Sequence, residues 1–323
     1  MSVVRWSRTD ALRPHDPLEL DELDEIDVLV LADVAEADSC NLRWCRRAPC
    51  VVIACAYGAD PSTAVDVTLV DGDVARYLDD VICQIEANPS AARTLVDVLR
   101  VVEGLDGAAG LVVESLAYST LLAGPEFARW LAAQPPRSPV AFAAPPVRVV
   151  RVGSELHVTL ARPENRNAFS AEMRDALFEA LVPAEVDPTI EQVVIDGDGP
   201  VFCSGGDLGQ FGAASDVVRA HQIRTLRSIG ALITRLAPMV TVHLHGSCVG
   251  AGVELSAFAG TVRAEAGATL LLPEVAMGLI PGAGGTVSLT RRIGRQRTAL
   301  LALWGRPVEL EDALLTGLVG VAP

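Results

Sequence analysis

The chain has 323 residues, of which 50% are hydrophobic, and a formal net charge of −15. This length suffices for one large domain or two smaller ones, each with a buried core. The acidic balance argues against nucleic acid as a partner. The sequence has no uninterrupted run of about 18 apolar residues that would predict a membrane span, and no apolar signal-peptide segment at its N-terminus. We therefore expect a cytoplasmic protein with no membrane partner.

The negative charge is divided unevenly along the chain. Residues 1–150 carry 23 acidic residues and 12 Arg, a net −11, whereas residues 151–323 carry 18 and 14, a net −4. We therefore expect a ligand with several phosphates to bind the second half. A Pro-rich stretch between the halves is typical of an extended connector. It predicts a first domain at 1–134, a linker at 135–146 and a second domain at 147–323.

The first half begins with an acidic segment, from Glu19 to Asp27, that we interpret as a solvated face or loop. Two apolar runs, Ile26 to Leu31 and Cys50 to Ala56, then predict buried strands. From Val74 to residue 133 the pattern is helical. Four cysteines of this half recur at a spacing that is not that of a zinc site, and we expect no metal. These are Cys40, Cys45, Cys50 and Cys55.

The second half alternates predicted strands with predicted helices. A β-hairpin is expected from Val147 to Leu160, with its turn at Gly153 and Ser154. Ser170 is a suitable N-cap for a helix with a hydrophobic stripe. The stripe consists of Met173, Leu177 and Leu181. Further strands are predicted at 192–195, 239–244 and 269–272, and further helices at 221–236, 250–259 and 294–304. The alternation predicts an α/β fold in which helices cover a sheet.

Two glutamates of the second half stand in glycine-rich, apolar surroundings. Glu254 belongs to the segment from His245 to Leu255, and Glu274 begins a run that continues to Thr286. Burial raises the pKa of a carboxyl group, so both side chains are candidate acid/base groups. The alternative is that one or both cap a helix or pair with an arginine.

Four motifs of the second half together resemble the crotonase superfamily and, within it, the enoyl-CoA hydratases. Their order and spacing agree with the family from about residue 147 to residue 320. The motifs are Arg162-Pro-Glu-Asn-Arg-Asn167-Ala168-Phe, Phe202-Cys-Ser-Gly205-Gly206-Asp207-Leu, Gly-Ala-Gly-Val-Glu254-Leu, and Pro273-Glu274 followed by Gly-Leu-Ile-Pro-Gly-Ala-Gly-Gly-Thr. Their joint occurrence is more specific than any one of them.

The resemblance implies a crotonase-like spiral of ββα repeats and a coenzyme A (CoA) thioester as substrate. It implies an oxyanion hole formed by the backbone amides of Gly206 and Ala251, which stabilise the enolate oxygen. It further implies that Glu254 activates water for attack at Cβ and that Glu274 delivers a proton to Cα. The family usually has Gly where this chain has Ala251, a change that matters only if the added methyl group crowds the thioester.

The same resemblance implies further substrate contacts, no metal or redox cofactor, and a homo-oligomer, either a trimer or a hexamer. The candidate contacts are Arg162, Asn167, Ala168, Gly205, Gly250 and Gly282. Asp207 is interpreted as a turn or helix-capping residue rather than a catalytic acid. A basic cluster is interpreted as a solvated helix face, with contact to CoA phosphates as the alternative. It comprises Arg291, Arg292, Arg295 and Arg297.

The resemblance breaks down at the end of the second half. Crotonases normally continue into further helices that close the active site and help to build the trimer. Helical segments of that kind occur instead in the first half, from Ile85 to Arg100 and from Gly110 to Leu131. We hypothesise that the first half is a smaller, degenerate crotonase-like α/β unit. Its helices, residues 74–133, would close the second half in cis or from a neighbouring subunit. The alternative is an independent binding module.

The sequence therefore predicts an enoyl-CoA hydratase of fatty acid metabolism. Such an enzyme catalyses the reversible syn addition of water to a trans-2-enoyl-CoA and gives a 3-hydroxyacyl-CoA. Two alternatives stay open. One is another crotonase-type reaction, such as acyl-CoA isomerisation or decarboxylation, and the other is a non-catalytic acyl-CoA-binding subunit.

Overall fold

The structure is a computed structural model, and it describes part of the chain. The described residues are 2–6, 26–31, 45–56, 64–70, 72–135, 144–213, 216–312 and 317–321. Within them the chain forms three β-sheets accompanied by helices, so the expected α/β class is confirmed as a mixed α/β fold. The N-terminal acidic segment, Cys40 and most of the expected Pro-rich linker lie outside the described residues.

The first half contains a four-stranded sheet followed by helices. The strands run in the order β1-β2-β3-β4 and every neighbouring pair is parallel. They are β1 Ser2–Trp6, β2 Ile26–Leu31, β3 Val51–Ala56 and β4 Val67–Val70. Every residue of β3 is buried, as expected for an apolar run in a covered parallel sheet. The helices are α1 Gly72–Ala87, α2 Pro89–Val102, α3 Gly107–Leu122 and α4 Pro125–Ala132.

The second half contains a six-stranded sheet in the order β13-β10-β8-β7-β6-β5 and a three-stranded sheet in the order β12-β11-β9. The larger sheet comprises β5 Val147–Val152, β6 Glu155–Leu160, β7 Gln192–Gly197, β8 Val240–Leu244, β10 Thr261–Ala264 and β13 Gly320–Val321. The smaller sheet comprises β9 Ser247–Val249, β11 Thr269–Leu271 and β12 Val308–Glu309. Strands β5 and β6 form the predicted antiparallel hairpin, and the remaining pairs of the larger sheet are parallel.

Three of the six described helices of the second half begin at a side-chain N-cap. The six helices are α5 Ala171–Val186, α6 Val217–Leu226, α7 Ile229–Leu236, α8 Ala251–Ser256, α9 Gly285–Ile293 and α10 Arg295–Trp304. The predicted cap of α5 is confirmed, because Ser170 Oγ accepts a hydrogen bond of 3.1 Å from the amide of Met173. The helix expected at 221–236 is divided in two, since Ser228 caps α7 and starts a new helix there.

The helices of the first half pack directly on those of the second. Helix α3 lies against α6 and α9, α2 lies against α9, and α1 lies against α10. The approach is close at Gly110, where a Cβ atom would lie 2.9 Å from Val287 Cγ2. In the described part of the chain no single helix is long and apolar enough to cross a membrane, although α3 and α4, bent by 61° to each other, reach that length and composition together.

A buried ion cluster also joins the halves. Asp66, only 1% exposed, accepts hydrogen bonds from Arg100 Nη2 at 2.5 Å and from Arg295 Nη1 at 3.2 Å. Arg295 belongs to α10 and is itself buried. The interpretation of the basic cluster as a solvated helix face is therefore wrong for Arg295, because that side chain is buried and pairs with Asp66. Arg292 is also partly buried and donates to the carbonyl of Ala257 at 2.7 Å.

Candidate active site

A cavity of about 410 Å³ lies between the two halves of the chain. The second half lines it with residues of α5, α6, α7 and α8 and of the segment 282–284, and the first half lines it with α3. The lining residues of α3 are Ala108, Leu111, Val112, Glu114, Ser115 and Tyr118. A concave site with several buried acids is the first candidate for chemistry in a protein of this size.

Glu254 lies in α8, which begins immediately after Gly250. Gly250 has a φ of +47°, and a Cβ atom there would lie 2.5 Å from Glu274 Oε1, so only glycine fits. Glu254 is buried, and its Oε2 accepts hydrogen bonds from the amides of Ala283 (2.7 Å) and Gly285 (2.9 Å). Burial raises the pKa of Glu254 to about 7, although the two amides act in the opposite direction. A carboxyl group with this pKa can exchange a proton near neutral pH.

Glu274 begins a 3₁₀ turn, Glu274–Met277, which ends at Gly278 with a φ of +73°. Its Oε2 is enclosed by protein and has no hydrogen-bond partner among the described residues. Burial, and then the charge of Glu254, raise the pKa of Glu274 well above its ordinary value. The protonated form is thereby favoured, and the side chain lines the cavity into which it can donate a proton.

A third buried carboxyl group comes from the first half of the chain. Glu114 of α3 accepts hydrogen bonds from the amide of Gly284 at 2.7 Å, and from the amide and the hydroxyl of Thr286 at 2.9 and 2.7 Å. Burial and the charge of Glu254 raise the pKa of Glu114 to about 8. Four successive amides, 283–286, are thus bound alternately by Glu254 and Glu114.

Sequence reasoning assigned no role to Glu114, although one signal was present. It is the sole charged residue of α3, which is otherwise apolar or uncharged over Gly107–Leu122. A charged side chain in such a helix is rarely buried without a specific partner. Its partners, Gly284 and Thr286, lie in the other half of the chain, so the pairing could not be read from local pattern.

Two residues predicted to form an oxyanion hole line the same cavity as these acids. Gly206 and Ala251 both line it, and none of the hydrogen bonds described for the chain is donated by either amide. Ala251 is the first residue of α8, where amides lack a partner within the helix. Such amides, aimed at a common point, can bind an oxygen that becomes negatively charged.

The backbone at Gly206 is covered by an aromatic ring. A Cβ atom at this position would lie 2.6 Å from Phe211 Cε2, so a larger residue would displace the ring. Phe211 in turn contacts α4 of the first half, with ring centroids 5.9 Å from Trp130 and 6.3 Å from Phe127. The first half therefore supports the ring that packs on the predicted oxyanion-hole residue.

The predicted substrate contacts divide into two groups. Gly282 lines the cavity, packed so tightly against the Tyr118 ring that a Cβ atom would overlap it. The other five do not line it: Arg162, Asn167, Ala168, Gly205 and Gly250. Their contact with a substrate stays a prediction.

The side chain of Asn167 is occupied by the backbone around it. Its Oδ1 accepts from the amide of Arg162 at 2.8 Å, and its Nδ2 donates to the carbonyl of Phe202 at 3.0 Å. Arg162 is buried and pairs with Glu172 at 2.8 Å. Asn167 therefore orders the segment that leads to Gly206. The expected turn role of Asp207 is confirmed, because its Oδ1 accepts from the amide of Gly209 at 2.9 Å.

Comparison with known proteins identifies relatives of the second half. A family model described as enoyl-CoA hydratase/isomerase matches residues 153–322, just over half of the chain. The chain is 32% identical to the 2,3-dehydroadipyl-CoA hydratase of Escherichia coli and 35% identical to the 1,2-epoxyphenylacetyl-CoA isomerase of the same species. A crystal structure of enoyl-CoA hydratase from Thermoplasma volcanium matches with a TM-score of 0.51 and 32% identity.

These similarities are confined to part of each protein. The match to the hydratase covers 51% of this chain and 64% of the relative, and the match to the isomerase covers 50% and 63%. The crystal structure is matched over 56% of this chain and 73% of that chain. The chain thus spans less than two thirds of the length of either curated relative, and the two relatives have different reactions.

Proposed function

The chain belongs to the enoyl-CoA hydratase/isomerase family, and from this premise we propose that it adds water reversibly to a trans-2-enoyl-CoA and gives a 3-hydroxyacyl-CoA. One observation carries the choice of hydration. Two acids with raised pKa values, Glu254 and Glu274, line the same cavity. Addition of water uses a base for the water proton and an acid for Cα, whereas a double-bond shift can proceed with one group that moves a single proton.

The thioester carbonyl is placed at the amides of Gly206 and Ala251. When water attacks Cβ, negative charge develops on this carbonyl oxygen as the enolate forms. Amides that are already in position stabilise that charge without reorganisation, and one such donor is typically worth about 10²–10³-fold in rate. The absence of other hydrogen bonds from both amides within the described chain supports this assignment.

The two acids then divide the proton transfers. Glu254, with a pKa of about 7, takes a proton from water while the water oxygen forms its bond to Cβ. The electron pair of the Cα=Cβ bond moves towards Cα and the thioester oxygen. Glu274, whose raised pKa favours the protonated form, gives its proton to Cα. Proton exchange between the two acids or with solvent restores the starting state, and dehydration follows the same steps in reverse. This chemistry involves no metal or redox cofactor.

Measurement of products decides between hydration and the other reactions of the family. Crotonyl-CoA and longer trans-2-enoyl-CoAs are incubated with the full chain, and products are identified by mass. We expect a product heavier by one water and the same equilibrium mixture from either side of the reaction. An unchanged mass with a shifted double bond, or a mass reduced by carbon dioxide, would contradict hydration. Binding without turnover would indicate an acyl-CoA-binding subunit.

We further propose that the helices of the first half close this site in cis. The support is that α3 supplies one wall of the cavity and that Glu114 holds the segment 284–286. A fragment comprising residues 147–323 is therefore expected to be insoluble or inactive, because it exposes the apolar face that α2 and α3 cover. Co-expression with residues 1–146 is the control. A soluble fragment with full activity would show that the first half is an independent module.

A further inference from the structure

Arg224 of α6 lines the cavity next to α3 and is held in place by hydrogen bonds to that helix. Its Nε donates to Ser115 Oγ at 3.0 Å, and its Nη2 donates to the carbonyl of Ser115 at 3.2 Å and to Ser119 Oγ. Its guanidinium carbon lies 4.9 Å from the centroid of the Tyr118 ring. These contacts, together with the cation–π interaction, hold a planar cation in one orientation before any ligand binds.

The charge of Arg224 has no carboxylate to balance it at short range. Among the described residues no acid lies within salt-bridge distance of its guanidinium, whereas the partly buried Arg100 pairs with Asp66 and the buried Arg162 pairs with Glu172. Glu114 attracts it from further away, but the oxygens of Glu114 already accept hydrogen bonds from the other half of the chain. A partly desolvated guanidinium without a counter-ion is costly unless an anion joins it.

A second arginine reinforces this positive region. Arg174 of α5 also lines the cavity and acts against the charge of Arg224. Burial lowers the pKa of Arg224 and the charge of Arg174 adds to this lowering, whereas Tyr118 and Glu114 act in the opposite direction. Of these two arginines Arg174 is paired with Asp175 at 2.9 Å, so the charge that favours a negatively charged ligand is that of Arg224, which has no such partner among the described residues.

The position of this region relative to the acids follows from Tyr118. One part of its ring touches Gly282, in the segment that also carries Glu254's hydrogen-bond partners. The charges of Glu254 and Glu274 reach the Tyr118 hydroxyl, and Arg224 covers the ring. Arg224, Glu254 and Glu274 therefore line one cavity, and the charge of each acts on Tyr118.

We propose that Arg224, with Arg174 beside it, forms an anion subsite that binds a negatively charged oxygen group of the thioester ligand. The group is a carboxylate at the far end of the acyl chain or a phosphate of CoA. This inference rests on the proposed function only in assuming that CoA esters occupy the cavity, and it does not depend on hydration. Guanidinium binds both groups through paired N–H···O hydrogen bonds.

Binding of saturated CoA esters, which cannot be hydrated, tests the subsite without turnover. Glutaryl-, adipyl- and pimelyl-CoA are compared by calorimetry with pentanoyl-, hexanoyl- and heptanoyl-CoA, which have the same chain lengths but no terminal carboxylate. A carboxylate subsite predicts that Arg224→Met weakens binding of at least one acid-ended ester by about 10- to 100-fold and leaves the matched neutral ester within about twofold. Arg224→Lys, which keeps the charge, retains part of the affinity.

Binding of a CoA phosphate at the subsite predicts a different pattern of affinities. If a CoA phosphate occupies the subsite, Arg224→Met weakens the acid-ended and neutral CoA esters equally, and it has no effect on the corresponding pantetheine esters, which lack those phosphates. Arg219→Met is the matched control, since Arg219 is exposed on the same helix and does not line the cavity. Equal affinities of Arg224→Met and the native protein for every ester would overturn the proposal.

Folding of the variant is checked by circular dichroism before binding is measured. If Arg224→Met does not fold, the native protein and Arg224→Lys decide the question. Equal affinity of the native protein for the acid-ended and neutral esters, with no dependence on salt, would then overturn the subsite. Absence of turnover with tight, Arg224-dependent binding would contradict the hydratase assignment and leave the subsite in place.

Discussion

Replacement of Glu274 by glutamine is expected to lower kcat/KM for enoyl-CoA hydration by about 10²–10⁴-fold, the usual contribution of a general acid. Glutamine has nearly the same shape and cannot donate an acidic proton to Cα. The enclosed Oε2 of Glu274 has no hydrogen-bond partner among the described residues, so the change removes the proton without breaking an existing contact there. Steady-state kinetics with crotonyl-CoA measure the loss.

The pH dependence of kcat/KM provides a more specific test of the role of Glu274. Hydration needs Glu254 ionised, so the rate rises as pH rises through about 7. It needs Glu274 protonated, so the rate falls once pH exceeds the raised pKa of Glu274. Glu274→Gln is expected to remove the falling limb and keep the rising one. Because Glu254 and Glu114 interact, the rising limb reports their joint titration.

An exposed acid provides the control for Glu274. Glu265 lies between β10 and β11, is exposed, and does not line the cavity. Glu265→Gln is expected to leave kcat/KM and its pH profile unchanged. A loss of only a few-fold for Glu274→Gln, or a profile that keeps both limbs, would remove Glu274 from the acid role.

The largest expected effect on stability is at the ion cluster between the halves. Asp66→Asn keeps the shape of the side chain but removes the carboxylate that the partly buried Arg100 and the buried Arg295 share. Breaking a buried pair in this way typically costs about 3–5 kcal/mol. We expect the free energy of unfolding, measured with urea, to fall by that amount. We also expect probes in both halves to report one transition, since the cluster links them.

An ion pair at the surface serves as the control, because an Asp→Asn substitution there changes the free energy of unfolding without the contribution of burial. Arg148 and Asp198 form a bidentate pair at 2.7 and 2.9 Å, but both side chains are exposed by more than a third. Asp198→Asn is expected to cost about 0–1 kcal/mol. If Asp66→Asn were no more destabilising than this control, the cluster would not be the joint between the halves.

Local sequence pattern was sufficient wherever an element is fixed by its own residues. The hairpin β5–β6 and the cap of α5 at Ser170 were predicted because a tight turn and an N-cap are local features. Helix α9 was not predicted. It begins at Gly285 within a glycine-rich run that is typical of a loop, and its first amides are bound by Glu114 and Glu254 from distant parts of the chain.

In the candidate site, too, the sequence predicted the residues that belong to local motifs and missed those whose role depends on distant contacts. Motif reasoning selected Glu254, Glu274, Gly206 and Ala251, and the fold brings all four to one cavity. It did not select Arg224, whose significance depends on packing of α6 against α3 across more than a hundred residues of sequence. The idea that the first half descends from a crotonase-like unit stays a prediction, since the parallel sheet β1–β4 alone does not establish that ancestry.

Glu254 and Glu114 accept hydrogen bonds alternately from the amides 283–286. The pKa of Glu254, in the second half of the chain, therefore depends on a residue of the first half. Substitutions around Glu114 in α3 would therefore shift the pKa of Glu254 without changing Glu254 or Glu274, and under the proposed function they would shift the pH dependence of hydration. Exchange of the whole first half between related chains would change the pKa of Glu254 in the same way, provided that the hydrogen bonds from the amides 283–286 to Glu254 and Glu114 are kept.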